Sequence, residues 1–179
     1  GKVQVMDYPF GGSAKDAYQV SGIAEQVEAN GGEMVQMSLL KFQEVEIENA
    51  LALKNVKIFE DVFKADSIIN VPIAKNHSMA TLTLGMKNLM GLITNRERLH
   101  SDFGNCLTDL AGKIKPKLTV IDAIRILLRN GPTGGNLEDV QQLDTIIASP
   151  DIVAADSYGA TLFGFQPTEL NYVKVGGET

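Results

Sequence analysis

Cysteine is nearly absent from this 179-residue chain, and that scarcity excludes several kinds of chemistry. A single thiol, Cys106, permits no internal disulfide and no internal iron–sulfur cluster, which usually takes four cysteine ligands. Zinc sites built from paired cysteines are excluded with them. Histidine is equally scarce, with only His77 and His100. No apolar run approaches the ~18 residues of a membrane span. Net positive charge is missing too: 16 Lys and Arg stand against 22 Asp and Glu, so the chain as a whole is a poor nucleic-acid binder.

What remains is ordinary globular material, 44% hydrophobic and 21% charged, of a size for one α/β domain over residues 1–179. The chain starts Gly1-Lys2-Val3 with no initiating Met and trails off after Val175, so it is expected to be part of a longer protein. Charge is unevenly spread. From Lys75 to Arg129 there are nine Lys or Arg against four acids, a local +5, while the other 124 residues carry seven against eighteen. A basic middle in an acidic chain suggests a local site for a small anion, although Lys113, Lys115 and Lys117 also fit a solvated helix face.

The pattern alternates strands and helices. Val3–Asp7 and Met34–Ser38 read as strands around a helix from Lys15 to Asn30, and Lys57–Phe63 reads as the start of another helix. Ser67–Val71, Leu118–Ile121 and Thr145–Ala148 are short β-branched runs of the kind buried on both faces of a parallel sheet. They end at Pro72, Asp122 and Ser149. Helices are expected at Asp102–Ile114 and at Asp151–Phe163, the latter capped by Ser149 or Asp151 and stopped by Gly164. The expected fold is α/β, with a mostly parallel central sheet and helices on both faces.

Ligands of open parallel sheets sit beyond the carboxyl ends of the strands. That rule would gather Asp7, Lys75, His77, Asp122, Ser149 and Asp151 at one edge. Lys75 and His77 are two residues apart and project the same way from extended backbone. Lys87-Asn88 sits inside an apolar, glycine-containing run, where an unpaired ammonium is costly, so Lys87 is expected to meet an acid, an anion or a cofactor. Arg96 and Arg98 could clamp a carboxylate or phosphate, and His100 with His77 could contribute to a metal site, although no His-x-x-x-His spacing supports one. Gly131-Pro132-Thr133-Gly134-Gly135 reads as a loop; Gly131 and Gly134 are candidates for ligand contact, but the Gly-Lys-Ser/Thr ending of a P-loop is missing.

These segments carry a resemblance. Ala65-Asp66-Ser67-Ile68-Ile69-Asn70-Val71-Pro72-Ile73-Ala74-Lys75-Asn76-His77, then Leu84-Gly85-Met86-Lys87-Asn88-Leu89-Met90-Gly91, resembles the domain of unknown function 362 family. The likeness runs on through Val120–Ala123, Asn130–Gly135 and Ser149–Asp156. It implies a prokaryotic source, with the cytoplasm favoured, and an iron–sulfur or redox setting, because members are often joined to a ferredoxin module. Any cluster would then belong to another segment or partner. A more distant likeness, in the order His77, Lys87, His100, is to the N-terminal domain of nickel-dependent lactate racemase. It implies Lys87 as the lysine holding a nickel-pincer nucleotide, His77 as acid or base and His100 as metal ligand. This chain has Gly85-Met86 where that family has Gly-Gly, and it has no third histidine.

Three functional readings follow. The first is a domain binding a small anionic ligand or cofactor in a cleft lined by Lys75, His77, Lys87 and Asn88. The second is a pincer-type racemase or isomerase, and the third a non-catalytic docking domain for an electron-transfer partner.

Overall fold

A computed structural model describes residues 1–133 and 136–179. The loop residue Gly134 therefore lies outside the described residues. The chain opens with a small parallel pair, β1 (Gln4–Val5) beside β2 (Glu33–Met34). Between them come α1 (Ala14–Val20) and α2 (Ile23–Ala29), two helices where the spacing suggested one. The break falls at Gly22, whose φ of 74° is left-handed backbone that a side chain resists.

An antiparallel pair follows, β3 (Phe42–Glu46) with β4 (Asn55–Phe59). The helix expected from Lys57 is therefore a strand that tightens into a 3-10 turn at Glu60–Phe63. The inward positions Val56, Ile58 and Phe59 are buried and decide the matter.

The main sheet is built on β8 (Leu118–Leu127). Along one edge run β5 (Ile69–Asn70) and β6 (Ile73–His77), both parallel to it, and along the other lies β9 (Val140–Ser149), antiparallel. β7 (Thr81–Thr83) returns antiparallel on β6. The sheet is thus mixed, not mostly parallel. β5 ends before Pro72, whose carbonyl still accepts the Asp122 N–H, at 2.8 Å, and pairing with β8 resumes in β6 at Ile73. Lys75 and His77 accordingly stand on a strand, not in a loop.

Because β9 runs backwards, Ser149 pairs with Thr119 at the start of β8. Ser149 and Asp151 therefore lie at the opposite end from Lys75, which pairs with Leu127. Asp122 is mid-strand.

Burial alternates along β8. Thr119, Ile121 and Ala123 face a core shared with α4 (Phe103–Ile114), α5 (Ile152–Thr161) and α6 (Asn171–Glu178). On the other face Ile69, Ile73, Ile124 and Ile146 stay 42 to 61% exposed, so the described helices do not cover both faces. Asp102 caps α4 as expected, and the left-handed Gly164 follows α5, which Asp151 caps. The inward face of α4 buries Leu107, Leu110 and Ile114, each such side chain contributing about 1.5–3 kcal/mol.

Candidate functional site

Two structural devices hold the site. The first is a short helix, α3 (Gly85–Asn88), laid across the start of β8. The fully buried Asp156 of α5 accepts the N–H groups of Gly85 (2.6 Å) and Met86 (2.8 Å). A Cβ on Gly85 would stand 2.7 Å from that carboxylate and 2.9 Å from Thr119, so only glycine lets the backbone approach. Burial pushes the Asp156 pKa up to about 7 despite both bonds. Asn70 then donates to the Gly85 carbonyl and accepts from Asn88, each at 2.9 Å. Asn88 is thereby tied to the scaffold.

The second device is the β6–β7 hairpin. Thr81, opposite His77, has a φ of 65°, a conformation that a β-branched residue adopts only under constraint. Inside the turn the Nδ1 of His77 accepts the N–H groups of Met79 (3.1 Å) and Ala80 (3.3 Å). With that nitrogen occupied as an acceptor, the hydrogen-bond pattern assigns the ring proton to Nε2. Burial, then the positive charges of Lys87, His100 and Lys75, pull the His77 pKa down to about 4. At neutral pH His77 is an uncharged N–H donor.

Lys87, on α3, has the least usual surroundings. It is 9% exposed, its Nζ lies 3.6 Å from the Met90 sulfur and 5.2 Å from the Phe103 ring centre, and it has no carboxylate partner among the described residues. Burial, aided by Lys75 and Arg96, lowers its pKa to about 8. The His77 ring stands 6.4 Å from the same Phe103, and His100, which is exposed, stands 5.3 Å from it. Lys87, His77 and His100 therefore gather around the one Phe103 ring, with His100 on its exposed side.

Lys75, Arg96 and Asp7 complete the group. Arg96 lies over Tyr8, 5.2 Å from its ring centre, and donates to the carbonyls of Tyr8 and Ile93. Asp7 packs against Gly91, where any Cβ would collide with its carboxylate. Burial raises the Asp7 carboxyl, against the pull of Arg96 and Lys75. Burial likewise lowers Lys75 and Arg96, with Asp7 opposing in both. Thr83, directly opposite Lys75, keeps a buried hydroxyl with no hydrogen-bond partner among the described residues.

Other candidates stand apart. Among the described residues the Arg98 side chain donates to the Asn55 carbonyl alone, at 3.5 Å, and is exposed. Asp122 accepts the Ile124 N–H at 3.0 Å within β8, beside a register shift. Gly131 donates its N–H to the Asn76 side chain at 3.1 Å and presses on the Asn76 backbone. An open groove of about 540 Å³ beside β1 and α2, lined by Val3, Val5, Ile23 and Val27, holds none of the clustered side chains.

Phe103, near which Lys87 and His77 lie, and Tyr8, beneath Arg96, were not singled out by sequence. Nothing in the pattern distinguishes them from core residues. No group of three His, Cys, Asp or Glu that could hold a metal forms among the described residues.

Comparison with known proteins now bears on the arrangement. A model for "Domain of unknown function (DUF362)" matches residues 1–161, which spans α3 and the hairpin. The chain belongs to this family. A "Thylakoid-associated protein" of Synechocystis is 29% identical over 185 residues, covering 95% of this chain. The chain spans about half, 54%, of that relative's length. Among the described residues of this DUF362 chain, no helix is long and apolar enough to cross a membrane.

Proposed function

We propose that this DUF362 domain binds a small organic anion in the hollow between the β6–β7 hairpin and α3. One observation carries the reading: Lys87 is a buried cation without a carboxylate partner among the described residues, with Lys75 and Arg96 close enough to depress its pKa further. Asp7 offsets the charge of Lys75 and Arg96, and its own burial raises its pKa and weakens that hold. Desolvating an ammonium costs several kcal/mol unless an opposite charge arrives, and a bound anion supplies that charge.

Within this reading each group has a part. Lys75 and the free N–H groups of Arg96 meet the anion, and Arg96 can do so through two parallel bonds. His77 offers Nε2–H as a neutral donor; with a pKa of about 4 it is too weak a base to remove a proton from carbon at neutral pH. The Thr83 hydroxyl adds a further polar contact. Phe103, Met90 and Tyr8 exclude water, which strengthens the charged contacts. A short carboxylate fits this reading better than a nucleotide, because no glycine-rich phosphate loop opens a helix there.

Calorimetric titration of the chain with acetate, pyruvate and inorganic phosphate tests the reading. Binding of a short carboxylate that falls at least tenfold in both Lys75→Gln and Arg96→Gln is expected. Equal, weak responses in all three proteins would overturn it.

A further inference from the structure

We propose that Lys87 is a covalent nucleophile whose amine condenses with the carbonyl group of a short 2-oxo carboxylate. The inference rests on the anion site proposed above and names its substrate class.

The geometry argues as follows. Lysines that attack carbonyls must be free of a carboxylate partner, shielded from water and set beside other cations, so that the neutral amine is populated. Lys87 meets all three conditions. It is buried on α3 and pairs with no carboxylate among the described residues; its Nζ lies against the weakly accepting Met90 sulfur and over the Phe103 ring, and Lys75 and Arg96 lie near. Asp156 and Gly85 fix the helix that carries it, so the amine is presented from rigid backbone. The lowered pKa agrees: at about 8, roughly a fifth of the amine is neutral at pH 7.4, against under about a thousandth at 10.5.

The neighbouring groups point to an oxo acid rather than a simple aldehyde. A carboxylate on Lys75 and Arg96 would set an adjacent carbonyl toward Nζ. As the Nζ lone pair attacks, the C–N bond forms and the carbonyl π pair moves to oxygen, where the Nε2–H of His77 can donate a hydrogen bond without giving up its proton. One nitrogen proton passes to that oxygen to give a carbinolamine. The C–O bond then breaks, the oxygen leaves as water with the second nitrogen proton, and a C=N bond remains. No oxidant or reductant is consumed.

The test is reductive trapping. The chain is incubated with pyruvate or 2-oxoglutarate at pH 7.4, treated with sodium cyanoborohydride, and read by intact mass and peptide mapping. One adduct per chain on Lys87 is expected, absent in Lys87→Met and suppressed by excess acetate. Its labelling rate should rise with a midpoint near pH 8, whereas surface lysines continue to gain above pH 10; that profile needs no variant. Labelling scattered over surface lysines, or none on Lys87, overturns the inference. If acetate still binds in the calorimeter while no adduct forms, the anion site stands and the covalent step falls. If neither is seen, both fall.

Discussion

Replacing Lys87 by methionine should make this protein more stable. The side chain keeps nearly the same volume and loses only its charge. In the fold the ammonium has been moved out of water without a carboxylate partner among the described residues, which lowers its pKa from the usual 10.5 to about 8. At 1.36 kcal/mol per pH unit, that drop corresponds to a penalty of about 3 kcal/mol for the charged form. Losing the contact with the Phe103 face returns about 1 kcal/mol. A net gain of about 1–3 kcal/mol remains, or about 3–10 °C in Tm for a domain of this size.

The sign can be checked against pH. Below pH 8 both the folded and unfolded lysine are protonated and the penalty is fully present. Between about 8 and 10.5 the unfolded chain holds more protons than the folded one, so the wild type gains stability relative to the variant. Urea unfolding of both proteins from pH 6 to 10.5 should therefore show a gap that is constant up to about pH 8 and closes above it. A less stable variant at pH 7, or a gap that ignores pH, would refute the claim that Lys87 is an uncompensated buried cation.

Further outcomes follow from the neighbouring residues. The ¹⁵N resonances of His77 should keep the neutral pattern, with Nδ1 as acceptor and Nε2 protonated, down to about pH 5; a midpoint between 6 and 7 would contradict the buried geometry. Gly85→Ala forces a methyl between Asp156 and Thr119 and should cost about 2–4 kcal/mol in denaturant unfolding. Asp109→Ala leaves the N–H groups of Leu51, Ala52 and Leu53 without the carboxylate that accepts all three at 2.7–2.8 Å, and should cost about 2–4 kcal/mol. Gly91→Ala forces a methyl into the Asp7 carboxylate and should lower the Tm in thermal unfolding.

The pairing of Lys75 with His77 was legible because period-two spacing decides which side chains share a face, whatever the strand's neighbours. Lys87 was legible for a similar reason: a lone charge in an apolar run is a local signal. Sheet direction was not. Thr145–Ala148 is β-branched like a parallel strand, but exposure of Ile146 beside buried Ile147 marks a strand covered on one face only, and that is visible only after folding. The antiparallel course of β9 removed Ser149 and Asp151 from the site. The bond between Asn88 and Asn70 was not legible because its partners lie eighteen residues apart. Asp156 and Asp109 act on backbone N–H groups distant in sequence, which no local spacing reveals.

The account turns on whether an organic anion enters the hollow between the hairpin and α3. Titrating pyruvate into uniformly ¹⁵N-labelled protein while following the His77 Nε2 and Lys87 Nζ resonances reads that directly. Saturable shifts at both, sharing one binding curve, are the expected result. Unmoved resonances at both, with pyruvate responses confined to other surfaces, would contradict it.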